Sequence, residues 1–100
     1  MIVRVVKLVI EQDKLDLFFS EFEKNKFKIS NFKGCQGMKL LQDVEHSNTI
    51  MTYSHWDSEE ALDAYRDSEL FATVWNRVKP FFLERPDAWS HRIYFDGFIH

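Results

Sequence analysis

Two histidines, His55 and His91, are the side chains best suited to take a proton near neutral pH, because imidazole is the group whose unperturbed pKa lies there. His55 closes the run Y-S-H-W just before a helix cap, and His91 alternates with Trp89 and Ile93 near the end of the chain. Each can equally be a histidine hydrogen-bonded within the fold or lying at a subunit interface. His46 falls in a polar turn and His100 is terminal, so both are expected in solvent. Within residues 53 to 83, Tyr65, Phe71 and Trp75 recur at spacings that can line a slot for a flat ligand, with Phe18 or Phe22 from an earlier helix as the facing wall. The phenylalanines also read well as core at helical spacing. Tyr65 and Trp75 each carry a polar atom that needs a partner once buried, which favours them for substrate contact. Tyr53 and Arg92 are candidates to anchor an anionic or hydroxyl group. No H-x-x-x-H pair and no acidic pair with ligand spacing occurs, so no metal site is expected. Cys35 is alone, which leaves no intrachain disulfide or thiolate cluster. Set between Gly34 and Gly37, it reads as a small filler near a turn.

The elements that must position these residues follow in order. Residues 2 to 10 are β-branched and nearly continuous in apolar character, the pattern of a central strand that needs cover on both faces. A helix follows, with Asp13 as its cap and Leu15, Phe18, Phe19 and Phe22 on one stripe. Breakers cluster from Ser30 to Gly37, and residues 38–45 then read as a strand. The turn His46-Ser47-Asn48, in which Asn48 tolerates positive φ, returns the chain antiparallel through residues 49–56. Asp57 or Ser58 caps a helix bearing Ala61, Leu62 and Tyr65 on its inner face. Asp67-Ser68 is a second cap, so the helix breaks and restarts over Leu70, Phe71, Val74, Trp75 and Val78. Pro80 and Pro86 bracket the exit, and residues 88–96 alternate as a last strand. The order β-α-β-β-α-β is the ferredoxin-like α+β pattern, an antiparallel sheet with its helices on one face. Two helical segments cover one side only, so the other face is expected to pack against a second copy of the chain.

One hundred residues make one domain, residues 1–100, with material for a single core. Ten Phe, three Trp and three Tyr are many for that length and imply a bulky core, an interface or an aromatic-lined pocket. A net charge of -3 with both signs interspersed offers no surface for a phosphate backbone or anionic lipid, so neither nucleic acid nor membrane is expected as a partner. No apolar run nears the roughly 20 residues of a membrane span, and the start lacks the plan of a signal peptide, which together point to the cytoplasm.

The span W-D-S-E-E-A-L-D-A-Y-R-D-S-E-L-F, preceded by G-C-Q-G-M-K-L-L before the second strand, resembles the antibiotic-biosynthesis monooxygenase superfamily of dimeric α/β-barrel proteins. The resemblance covers nearly the whole chain and specifies fold better than chemistry. It implies a homodimer whose two sheets close a barrel, and an activity among cofactor-free oxygenases of phenols or quinols, haem-degrading oxygenases and enzymes of small signalling metabolites. The haem-degrading members use an asparagine, a tryptophan and an iron-ligating histidine at positions matching Val6, Tyr65 and Trp75, and none of the three is retained. Indole cannot ligate iron as imidazole does, so haem is not expected. The implied function is oxidation of a small phenolic or quinol-like aromatic by molecular oxygen, without metal, flavin or other cofactor. His55 or His91 is then the catalytic base, Tyr65 and Trp75 position the ring, and Phe71, Tyr53 and Arg92 complete the substrate contacts. Two alternatives stand beside it: a non-catalytic dimeric ligand-binding or interaction module, and an isomerase or degrading enzyme for a small oxygenated metabolite.

Overall fold

A computed structural model of the chain describes residues 1–98, so His100 lies outside the described residues. Strand β1 (Ile2–Val9) leads through a short 3-10 turn (Gln12–Lys14) into helix α1 (Leu15–Ser30). Strands β2 (Cys35–Gln42) and β3 (Thr49–Trp56) form the expected hairpin. Helices α2 (Glu59–Arg66) and α3 (Glu69–Val78), a second 3-10 turn (Lys79–Phe81) and strand β4 (Asp87–His91) complete the order. The four strands are antiparallel in the order β2-β3-β1-β4, which puts the β-branched first strand in the middle, paired on both sides.

All three helices lie on one face. Leu8, Ile10 and Ile50 from the sheet side pack against Leu15 and Phe18 of α1 and Val78 of α3, and Ile2 and Trp56 pack against Leu62 of α2. Trp56, only 1% exposed, is the largest fully buried side chain, and its indole N–H donates to Ser54 Oγ at 2.9 Å. Because side chains alternate along a strand, Val3, Val5, Tyr53, His55, Trp89 and His91 fall on the opposite face. No helix among the described residues is long and apolar enough to cross a membrane.

Several boundaries differ from expectation. Asp13 does not cap α1: it sits inside the 3-10 turn closed by Lys14 N–H donating to Glu11 O at 2.8 Å, and the helix begins at Leu15 without a side-chain cap. The loop before β2 is shorter than predicted, since α1 runs to Ser30 and Cys35 already pairs with Trp56, with a bulge between Cys35 and Gly37. Asn48 does not use positive φ, and its amide donates instead to Ile10 O at 2.9 Å. The last strand stops at His91 rather than Asp96, because His91 pairs with Val3 and the central strand has almost no residues left to pair beyond it.

Candidate active site

The broken helix makes the site. Ser58 Oγ accepts from Ala61 N–H at 3.1 Å to start α2, and Ser68 Oγ accepts from Phe71 N–H at 3.1 Å to start α3. The same Ser68 hydroxyl donates to Tyr65 O at 2.6 Å, so one side chain ends the first helix and opens the second. This turn brings Tyr65, from the last turn of α2, beside Phe71 and Trp75, one turn apart on α3.

These residues wall a cavity of about 370 Å³ between the helices and the inner face of the sheet. That is the size of a pocket for a small molecule. Phe18 and Phe22 of α1 line it from another side, and its floor includes Arg4, Val6, Thr52, Ser54 and Ala88. The aromatic wall is continuous. Tyr65 stacks on Trp56 at 4.9 Å between ring centroids and 25°, meets Phe71 edge-on at 5.3 Å, and Phe71 stacks on Trp75 at 5.6 Å and 15°. Burial pushes the Tyr65 phenol up to about 12, with nearby Cys35 adding to the shift, so it stays neutral at physiological pH and can donate a hydrogen bond.

The charged part of the lining is cationic. Arg4, half-buried on β1, donates from Nη1 to Ser90 Oγ at 3.0 Å. Burial, then the charge of Arg66, lowers its pKa below the ordinary guanidinium value, and Asp63 partly opposes them. Arg66 and Arg85 also line the cavity and are exposed, which places them at its rim.

Tyr65, Phe71 and Trp75 thus come together as expected, with Phe18 and Phe22 on the same cavity. His55, His91, Tyr53 and Arg92 do not join them. His55 and His91 flank Val3 on the helix-free face, where Tyr53 and Arg92 border the same open groove. His55 Nε2 lies 2.9 Å from the Tyr53 hydroxyl, a histidine hydrogen-bonded within the fold. The expected pairing of an imidazole base with an aromatic clamp is therefore divided by the thickness of the sheet. Its cause is strand alternation: Trp56 points in, so its neighbour His55 points out. Arg4, Ser54 and Trp56 are site residues that the sequence reading did not assign. Arg4 left a signal, as the single charged residue on the parity of Ile2, Val6, Leu8 and Ile10.

Val6, Tyr65 and Trp75, the positions matching the haem ligand set, all border the cavity, and among the described residues no imidazole does. The residues present do not fit haem by that route. Among the described residues, no group of three or more His, Cys, Asp or Glu side chains is disposed to hold a metal ion.

Solved structures share this fold. A Nitrosomonas europaea protein described as an antibiotic biosynthesis monooxygenase superposes with a TM-score of 0.87 at 16% identity, covering 95% of this chain and 100% of that one. A conserved protein from Methanosarcina mazei Go1 gives 0.85 at 18% identity, covering 92% of each chain. Rv0793 from Mycobacterium tuberculosis gives 0.86 at 11% identity, covering 96% of this chain and 97% of that one. At these identities the likeness is one of fold. Comparison of the sequence with curated proteins gives no match. A sequence model of the family "Antibiotic biosynthesis monooxygenase" matches residues 1–76, from the central strand through the broken helix to the aromatic wall of the cavity, and the chain belongs to that family.

Proposed function

We propose that the protein is a monooxygenase that oxidises a small phenolic or quinol-type aromatic with molecular oxygen, without metal or flavin. The observation that carries this reading is the aromatic-walled cavity of about 370 Å³ between α1, α3 and the sheet. In such a reaction one oxygen atom enters the ring, as a carbonyl of the quinone formed from a phenol or as the hydroxyl of the hydroxyquinone formed from a quinol, and the other leaves as water. All four electrons come from the substrate, so no external reductant is required. The protein has to hold the ring, exclude water and let the substrate lose a proton. Tyr65, Phe71 and Trp75 serve the first two needs. His55 and His91 face the other side of the sheet, so the substrate must ionise without either of them beside it.

The hundred residues act as one domain, and two copies pair through the helix-free face. That face presents Val5, Tyr53 and Trp89, the last 44% exposed, and the chain beyond β4 carries Ile93 and Phe95 across it, Phe95 82% exposed. A second copy of the same surface is the occupant that matches an apolar sheet with an extending tail.

A lining that, among the described residues, holds no imidazole or carboxylate favours a second reading, a ligand-binding module without turnover. Oxygen uptake with a panel of hydroquinones under metal-free conditions separates the two. Trp75→Ala is expected to reduce uptake at least about tenfold, the loss typical of a removed positioning contact, with His55→Ala and His91→Ala close to wild type. Ligand-induced thermal stabilisation with no uptake selects the binding module, and product formed without oxygen selects an isomerase.

A further inference from the structure

We propose, resting on the reading that this cavity receives the substrate, that it takes its aromatic guest as an anion, with the negative group seated on Arg4 as the residue that sets specificity. Arg4 is the one charged side chain on the helix-facing parity of β1, where Ile2, Val6 and Leu8 are apolar. Its hydrogen-bond partner is the neutral hydroxyl of Ser90, at 3.0 Å from Nη1. A guanidinium has five N–H donors in a planar fork, so most of them are left for a ligand, and the fork matches two oxygens of a carboxylate or one phenolate.

The surrounding charge points the same way. Arg66 and Arg85 line the cavity at its rim, and among the described residues no Asp, Glu or His lines it and none of the three arginines forms an ion pair. Asp63, the carboxylate near enough to steady the charge on Arg4, is exposed on α2 and lies outside the lining. Three cations and no anion in an otherwise apolar chamber stand against a chain whose net charge is -3. A half-buried cation with no ion-paired carboxylate is unfavourable beside apolar walls, and a bound anion relieves it. The same field draws the proton off an acidic phenol and releases it to water, which answers the lack of an imidazole on the wall.

Carboxylate and phenolate share this chemistry, and anaerobic titration calorimetry on the whole chain separates them. The probes are 2-naphthoate, a nitronaphthol acidic enough to be ionised at neutral pH, and uncharged 2-naphthamide. At least one anion is expected to bind about tenfold or more tighter than the amide, and which one does so names the group. Arg4→Met should remove that preference while leaving the amide within about twofold, and Arg4→Lys should keep part of it. Equal or tighter binding of the amide by wild type overturns the proposal without reference to any variant, as does an unchanged anion preference in Arg4→Met or failure of every probe to bind. Arg4-dependent anion binding with no oxygen uptake on hydroxylated analogues removes the monooxygenase reading and leaves this inference standing. Oxidation of neutral hydroquinones by a protein that ignores both anions does the reverse.

Discussion

Tyr65 carries a pH signature that can be read without knowing the substrate. Its phenol is pushed up to about 12 in the folded chain against 10 in the unfolded one. Below pH 10 both states hold the proton and the shift has no effect on stability. Between 10 and 12 the unfolded chain loses the proton first, so stability falls as pH rises, by on the order of 2 to 3 kcal/mol in all. Tyr65→Phe is expected to lack this component. Urea midpoints measured for both proteins across that window should therefore show wild type losing stability relative to Tyr65→Phe as pH rises, and parallel curves would show that the phenol is not held neutral by burial. The two histidines teach the converse lesson at this scale. Their chemistry was legible from residue type, but their facing depends on which neighbour is buried, and the packing of Trp56 under α2 decides it for His55.

Among the elements, the loop between α1 and β2 shows how closely the broken helix is seated. Gly34 has φ +89, and a Cβ added there would stand 2.6 Å from Ala61 Cβ on α2. Its carbonyl accepts from Asp57 N–H at 2.8 Å, which ties the loop to the approach of α2. Gly37 has φ +137 but open space around it. Gly34→Ala should therefore cost more than Gly37→Ala, since the first combines backbone strain of about 1 kcal/mol or more with a clash of comparable size and the second has strain alone. Chemical denaturation of the two variants gives the comparison, and equal losses would mean that α2 yields to the added methyl. The second cap was legible at Asp67-Ser68, whereas the first was narrowed only to Asp57 or Ser58, and the structure gives the role to Ser58. The start of α1 was not legible, because a 3-10 turn fixed by neighbouring backbone looks like a capped helix in sequence. The end of β4 was hidden for a related reason: alternation continues past His91, but the strand that would pair with it does not.

At the scale of the molecule, the strand order and the one-sided helices followed from the order of elements, since β-α-β-β-α-β has few compact solutions. The division of the site did not follow, because it needs every strand's parity at once. The proposed pairing predicts that the protein sediments as a dimer at micromolar concentration, and that Val5→Glu, which sets a carboxylate between Tyr53 and Trp89, gives a monomer with unchanged secondary structure. A wild type that stays monomeric under those conditions removes the pairing. Alternate positions of β1 and β3 belong to opposite surfaces: Arg4, Val6, Thr52 and Ser54 to the cavity, Val3, Val5, Tyr53 and His55 to the groove. One ribbon of backbone thus carries two interleaved scripts, and a library built on even-numbered sites could retune which guest is admitted while the odd-numbered text, and whatever assembly it encodes, is left intact.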